Sequence, residues 1–180
     1  MRWRQAELPP AGLRDWLFDT GSLTQRLRQA CPGQFRVGVL GQYWGHPLPG
    51  EAHILGLQHH RYVWIREVQL FCDAQAWVFA RTLIPPSTLR GRCQRLMRLG
   101  TRPLGEVLFT DSGLRRGVVE VARIAALQRL HRRAFGALAE RSEAIWGRRS
   151  VFYINGQPLL VCEIFLPGLP ILCSAEQTGV

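Results

Sequence analysis

Lysine is missing from this chain: every one of its 23 basic side chains is an arginine, set against 13 acidic ones for a net charge of +10. That balance favours anionic partners. The arginines are spread along the chain, however, and no nucleic-acid motif accompanies them, so charge alone selects no function. No apolar run is long enough to span a bilayer, and the start, Met1-Arg-Trp-Arg-Gln-Ala-Glu7, lacks the apolar stretch of a signal peptide. Cys31, Cys72, Cys93, Cys162 and Cys173 form an odd set without Cys-x-x-Cys spacing, and Cys72 and Cys162 sit in strand-like runs as small core residues do. A reducing cytoplasm suits that pattern. His46, His53, His59 and His60 cluster in sequence without the helix-face spacing and acidic companions of a metal site. A phosphate-cradling glycine loop is absent, and no serine or cysteine has a base suggestively near it.

What remains is a globular composition, 47% hydrophobic over 180 residues, enough for one domain across positions 1–180 with its own core. Within it, Glu163 is the only charge in Pro158-Leu-Leu-Val-Cys-Glu-Ile-Phe-Leu166, a run apolar on both alternating faces. Such a strand is expected to be covered on both sides, where a carboxylate needs a partner or a ligand. Arg66 is placed in the same way. In Tyr62-Val-Trp-Ile-Arg-Glu-Val-Gln-Leu-Phe71 it shares a face with Tyr62, Trp64, Val68 and Leu70, while Glu67 and Gln69 on the other face are expected to meet water. Arg66 and Glu163 are therefore expected in one cavity, either as a structural ion pair or as the poles of a polar ligand pocket. A guanidinium there can grip a small carboxylate with parallel N–H bonds. Arg81, on a face with Trp77, Phe79 and Leu83, is the alternative anchor.

The rest of the chain reads as α+β. Leu13, Trp16 and Leu17 mark a first helix, and Ser22-Leu-Thr-Gln25 has the form of a capping box opening a second. Strands are expected at Phe35–Tyr43 and in two hairpins, one turning at Asp73-Ala-Gln75 and one at Asn155-Gly156, with His46–Gly50 a loop. Thr88–Leu99 is expected to be helical, with Gly100 ending it and Thr101-Arg-Pro-Leu104 starting another turn, a second helix–turn–helix unit. Val118–Val121 reads as a short strand. Ile124–Ile145, with Leu127, Leu130, Ala134, Phe135 and Leu138 at helical intervals, reads as an amphipathic surface helix whose arginines face an acidic partner, a membrane surface or solvent.

In order, the segments Arg61-Tyr-Val-Trp-Ile-Arg-Glu-Val68, Ala80-Arg-Thr82, Pro86-Ser-Thr-Leu89, Leu99-Gly-Thr-Arg-Pro-Leu-Gly105, Leu108-Phe-Thr110, Trp146-Gly-Arg-Arg-Ser150 and Leu159-Leu-Val-Cys-Glu-Ile-Phe-Leu-Pro167 resemble the chorismate pyruvate-lyase family. These are bacterial enzymes that make 4-hydroxybenzoate for ubiquinone, and the resemblance runs from about Leu13 to Pro170. It implies an antiparallel sheet of about six strands, with helix–turn–helix flaps closing over a buried ligand site. It also implies no cofactor, a small-molecule substrate and product (chorismate and 4-hydroxybenzoate), no nucleic acid, no membrane span, a monomer and a cytoplasmic location. Carried over by position, the ligand-contacting arginine is Arg66, the acid is Glu163, the flap backbone contact is Leu104, and the apolar wall of the other flap is Leu23. The chain departs from the family by inserting most of the Ile124–Ile145 segment before Trp146-Gly-Arg-Arg149. Two rivals stand beside the lyase. One is a ligand-sensing module of the kind thought to share this sheet in transcription regulators; the other is a basic nucleic-acid-binding protein argued only from charge.

Overall fold

The computed structural model describes residues 3, 8–58, 60–126, 128–136, 139 and 144–173. Helices α1 (Ala11–Leu17) and α2 (Leu23–Ala30) precede β1 (Phe35–Gly45), α3 (Pro49–Ile54) and the hairpin β2 (Val63–Cys72) and β3 (Gln75–Ile84). A 3₁₀ helix (Gly91–Arg98) and α4 (Leu104–Leu108) follow, then β4 (Leu114–Arg116), β5 (Glu120–Ile124), α5 (Arg129–Phe135), the hairpin β6 (Ile145–Ile154) and β7 (Gln157–Phe165), and α6 (Pro170–Cys173). The strands make one seven-stranded antiparallel sheet in the order β1-β2-β3-β7-β6-β4, with β5 also paired to β6. The extra strand relative to expectation arises because β4 and β5 share one edge of β6, β4 against Phe152–Ile154 and β5 against Ile145–Arg149.

Local chemistry explains the breaks. The turns of both hairpins use left-handed backbone, Asp73 at φ 52° in one and Asn155 and Gly156 at 49° and 77° in the other, which asparagine, aspartate and glycine adopt at least cost. The Ser22 hydroxyl accepts the Gln25 amide at 3.4 Å, the serine half of the expected capping box, and Leu23 and Leu27 bury the inner face of α2. Pro85 and Pro86 delay the helical segment after β3, so Thr88–Leu99 yields only a 3₁₀ helix from Gly91.

Each side of the sheet is covered. On one side, α1 and α2 pack Leu13, Trp16, Leu17 and Leu27 over Val68, Leu70 and Phe165, while the 3₁₀–α4 segment packs Leu96, Leu99 and Val107 over Phe152 and Val161. On the other, Leu55 meets Ile65, Leu83 and Leu160, and α5 sets Leu130 and Ala134 against Phe79, Ile145 and Ile164.

Four expectations change here. The 124–145 segment is not one surface helix: Ile124 ends β5, Ile145 opens β6, and the helix between is Arg129–Phe135, closed by Gly136 at φ 56°. Its periodicity is that of a short helix packed on the sheet, and Leu127 and Leu138 lie outside the described residues. The strand expected at Val118–Val121 lies at Glu120–Ile124, and the Pro-rich loop expected up to Gly50 continues as α3. Cys72, expected as a small core residue, instead forms a disulfide with Cys31 that ties the end of α2 to the end of β2. Among the described residues no helix is long and apolar enough to cross a membrane.

Candidate active site

The site is built on the sheet face beneath the two flaps. Antiparallel pairing aligns Gln42, Arg66, Thr82, Val161 and Ser150 as one cross-strand row, and Val68, Ala80, Glu163 and Arg148 as the row one pleat away. Partners in register share a face, so Arg66 and Glu163 project into one pocket. Its walls are Val68, Ala80 and Val161 from the sheet, Ser22 and Leu23 from the first flap, and Leu104, Gly105 and Leu108 from the second. With the flaps in this position the free space between these walls is small, about 50 Å³ for the centre of a water-sized sphere, so a ring-sized ligand enters as the flaps part. Leu23 and Leu104 thus stand where the sequence places them, on opposing flaps.

The flaps close on each other. An ion pair joins Arg28 of α2 to Glu106 of α4. A Cβ built on Gly105 would sit 3.0 Å from the Ser22 hydroxyl and 3.3 Å from that of Thr24, so only glycine allows this approach without displacement.

Arg66 and Glu163 share the pocket, but they are not each other's partner. Arg66 is 2% exposed and donates from Nη2 to the carbonyls of Gly100 (2.9 Å) and Arg102 (3.0 Å), holding the second flap down. Its Nε is buried without a hydrogen bond. Burial without a counter-ion pulls this guanidinium down to about 10, still charged at neutral pH. The partner of Glu163 is Arg148, whose Nε lies 2.5 Å from the carboxylate. Nη1 of Arg148 donates to the carbonyls of Trp16 and Asp19, both at 2.7 Å, fixing the end of α1. On the other face of β6, a Cβ at Gly147 would meet the Ile164 side chain at 2.6 Å and the Glu163 carbonyl at 3.1 Å. Arg116 is the third cation. It donates to the Ser150 hydroxyl at 3.0 Å and lies over the Phe152 ring at 5.0 Å. Burial lowers its guanidinium from the ordinary value, and Glu163 opposes that shift.

The sequence reading missed Arg148 and Arg116. Arg148 carried the same signal as Glu163, a lone charge on an inward strand face with Ser150 and Phe152, but it sat inside a stretch read only as a motif. Arg116 lies on a three-residue strand too short for alternation to register.

Arg81 is a correction. It is fully buried on the opposite face, where Nε meets Glu51 at 2.8 Å and Nη1 meets Glu67 at 2.7 Å. Burial acts to lower its guanidinium, and the two carboxylates override that and hold it above the ordinary value. With its charges answered and the sheet between it and the pocket, it is no carboxylate anchor. The same network corrects the expectation that Glu67 and Gln69 meet water. Glu67 also accepts from Tyr43 (2.9 Å) and Arg133 (3.0 Å), and Gln69 reaches the Ala134 carbonyl at 3.4 Å. Helices α3 and α5 cover that face, and its polarity is that of a buried ion cluster.

Among the described residues no three His, Cys, Asp or Glu stand together as metal ligands, and His59 lies outside them. The arrangement can grip a carboxylate at Arg66, hold a second polar group at Glu163, and exclude water between two clasped flaps.

Residues 1–176 match the chorismate lyase family. A protein named probable chorismate pyruvate-lyase in Shewanella loihica is 44% identical over 161 residues, covering 89% of this chain and 82% of that protein. One of the same name in Methylococcus capsulatus is 43% identical over 157 residues, covering 87% and 96% respectively. Among solved structures, a GntR-family transcriptional regulator from Bacillus cereus superposes with a TM-score of 0.55 at 14% identity, over 75% of this chain and 93% of that one. The effector domain of PhnF from Mycobacterium smegmatis gives 0.53 at 14%, over 82% and 89%. At such identities the likeness to the regulators is one of fold.

Proposed function

This chain belongs to the chorismate lyase family, and from that membership we propose that it converts chorismate to 4-hydroxybenzoate and pyruvate. The observation that carries the reading is the placement of Arg66 and Glu163 in one flap-covered pocket, each projecting from the strand position that the family pattern assigns. In the reaction the ring C3–O ether bond breaks, the hydrogen on C4 leaves as a proton, and the ring becomes aromatic. The released enolpyruvate takes a proton on its methylene carbon to become pyruvate. Aromatisation supplies the driving force, so the protein's part is orientation and electrostatics in a dry space.

Arg66 holds the ring carboxylate. Its Nε, without a partner among the described residues, is left to donate to that carboxylate, and Leu104 and Leu23 close over the ring from the two flaps. Glu163, aligned by Arg148, accepts the hydrogen bond of the ring 4-hydroxyl and so orients the carbon that loses its proton. Product release requires the flaps to part, which breaks the Arg28–Glu106 pair and the Arg66 bonds to the second flap. On this reading the chain is a single cytoplasmic domain, active as a monomer, that supplies 4-hydroxybenzoate for ubiquinone and uses no nucleic-acid partner. A reducing compartment would open the Cys31–Cys72 bond, and the β1–β2 ladder would still pair Phe35 with Cys72. The test is incubation of the purified protein with chorismate while 4-hydroxybenzoate and pyruvate are followed. Equal amounts of both support the reading, and no product refutes it.

A further inference from the structure

The pocket carries three guanidiniums, Arg66, Arg116 and Arg148, against the single carboxylate of Glu163. Asp19 lies near enough to act on Arg116 and Arg148, but it is bonded to a fourth cation, Arg26, at 3.0 Å, so counting that pair leaves the excess unchanged. Two positive charges are thus left over among apolar walls, where uncompensated charge is costly. This is not how the chain treats its other buried arginines. Arg81 has Glu51 and Glu67, and Arg149 has Glu120 at 2.7 Å. An excess confined to one pocket marks what that pocket is built to receive, a ligand with two negative charges.

The three cations are not equally free to receive it. Arg148 spends its Nε on Glu163 and its Nη1 on two carbonyls at 2.7 Å, and among the described residues only its Nη2 is buried without a bond. Arg66 has its buried, unpartnered Nε. Nη1 of Arg116 makes only long bonds to the Asp19 and Gly21 carbonyls, 3.2 and 3.3 Å, and among the described residues its Nη2 donates to nothing. Beside it, the Ser150 hydroxyl is buried and accepts from the Arg116 Nε, which leaves its own proton free to donate. Arg66 and Ser150 stand at the two ends of one cross-strand row, Arg66↔Thr82↔Val161↔Ser150, roughly 14 Å of backbone spacing at about 4.8 Å per strand. Arg66 stands at one end of that row, Arg116 is bonded to Ser150 at the other, and Thr82 and Val161 lie between them on the pocket wall.

We propose that Arg116, with the Ser150 hydroxyl, is a second carboxylate anchor, so that the pocket binds a dicarboxylate held at one end by Arg66 and at the other by Arg116. The assignment rests on the lyase reading for its substrate: chorismate carries a ring carboxylate and an enolpyruvyl carboxylate, and 4-hydroxybenzoate keeps only the first. Arg116 then grips the part that leaves, and Arg66 the part that stays. Substrate is distinguished from product by one anchor.

The experiment compares ligands with and without the second carboxylate. In the wild-type protein, 3-(carboxymethoxy)-4-hydroxybenzoate should bind at least about tenfold more tightly than 3-isobutoxy-4-hydroxybenzoate, which has the same number of heavy atoms and the same branching and lacks that charge. Arg116→Gln should abolish this preference and raise KM for chorismate on the order of tenfold or more, with affinity for 4-hydroxybenzoate unchanged; Arg116→Lys should restore part of it. Arg66→Gln should weaken all of these ligands together. Equal wild-type affinity for the two probes overturns the proposal and needs no variant to fold. So does an Arg116→Gln protein that loses 4-hydroxybenzoate in the same proportion as chorismate. Failure of the wild type to turn chorismate over refutes the lyase reading instead, and the probe ratio still decides the anchor.

Discussion

Replacing Glu163 by glutamine separates catalysis from structure, and the Arg148 contact sets the size of the effect. The substitution keeps shape and one acceptor for the Arg148 Nε, now 2.5 Å from a carboxylate oxygen, but removes the charge that compensates a fully buried guanidinium. Breaking a buried pair by removing one partner costs about 3–5 kcal/mol. Two features argue for less here. The Glu163 side chain is 16% exposed, and Arg148 keeps its bonds to Trp16 and Asp19. A loss of about 2–3 kcal/mol follows, which lowers the melting temperature by about 4–12 °C at roughly 2–4 °C per kcal/mol for a chain of this size. If Glu163 orients the substrate hydroxyl, turnover by the folded variant should fall on the order of a hundredfold or more. Melting by circular dichroism and product formation at a temperature well below the transition read the two effects apart. A second substitution, Glu163→Gln with Arg148→Met, removes the stranded charge and should recover part of the stability without recovering rate. A folded Glu163→Gln protein that works at the wild-type rate would refute the catalytic role, and recovery of rate in the double variant would reduce Glu163 to a counter-ion for Arg148.

Arg66→Met should lose roughly 2–5 kcal/mol of 4-hydroxybenzoate binding yet melt above the wild type, because it removes a buried cation without a counter-ion and frees only carbonyls at exposed positions; calorimetric titration and melting check both signs. Gly105→Ala should push the flaps apart at Ser22 and Thr24, speeding 4-hydroxybenzoate dissociation in stopped-flow while leaving the sheet intact, and an unchanged rate counts against flap opening as the exit step. Native-state alkylation should modify Cys93 and spare Cys162, whose thiol burial pushes well above the ordinary range; labelling of Cys162 before unfolding, read by mass spectrometry, contradicts the packing described. Shortening 125–144 to a tight loop should destabilise the protein by several kcal/mol, since it uncovers Phe79 and Ile164 and takes Arg133 from Glu67, and a variant as stable as wild type by denaturant melting would show the segment to be a mere appendage.

The parts of the fold legible in the sequence are those in which local rules and tertiary packing agree. Asn155-Gly156 can make few turns other than a tight hairpin, and Ser22 followed by Gln25 caps a helix whose inner face is already apolar. The inward faces of β2 and β7 were legible because one charge among apolar neighbours is conspicuous, and this is how Arg66 and Glu163 stood out. Their partners were not legible, because pairing depends on strand order. Nothing in the local sequence says that β6 rather than β2 lies beside β7 with Arg148 in register with Glu163.

The reverse side of the sheet was misread for a related physical reason. Alternation separates the faces of a strand, but a polar face can mean water or a second, charged layer. Glu67 and Arg81 stand opposite each other on β2 and β3, and Glu51 and Arg133 reach them from α3 and α5, elements far off in sequence. Opposite charges in cross-strand register are the local trace of such a layer. On the pocket side the register offers no acid to Arg66, whose neighbours there are Gln42 and Thr82. One strand thus carries both cases: a carboxylate at Glu67 whose charge the protein answers from three elements, and an arginine at the preceding position left for a ligand to answer.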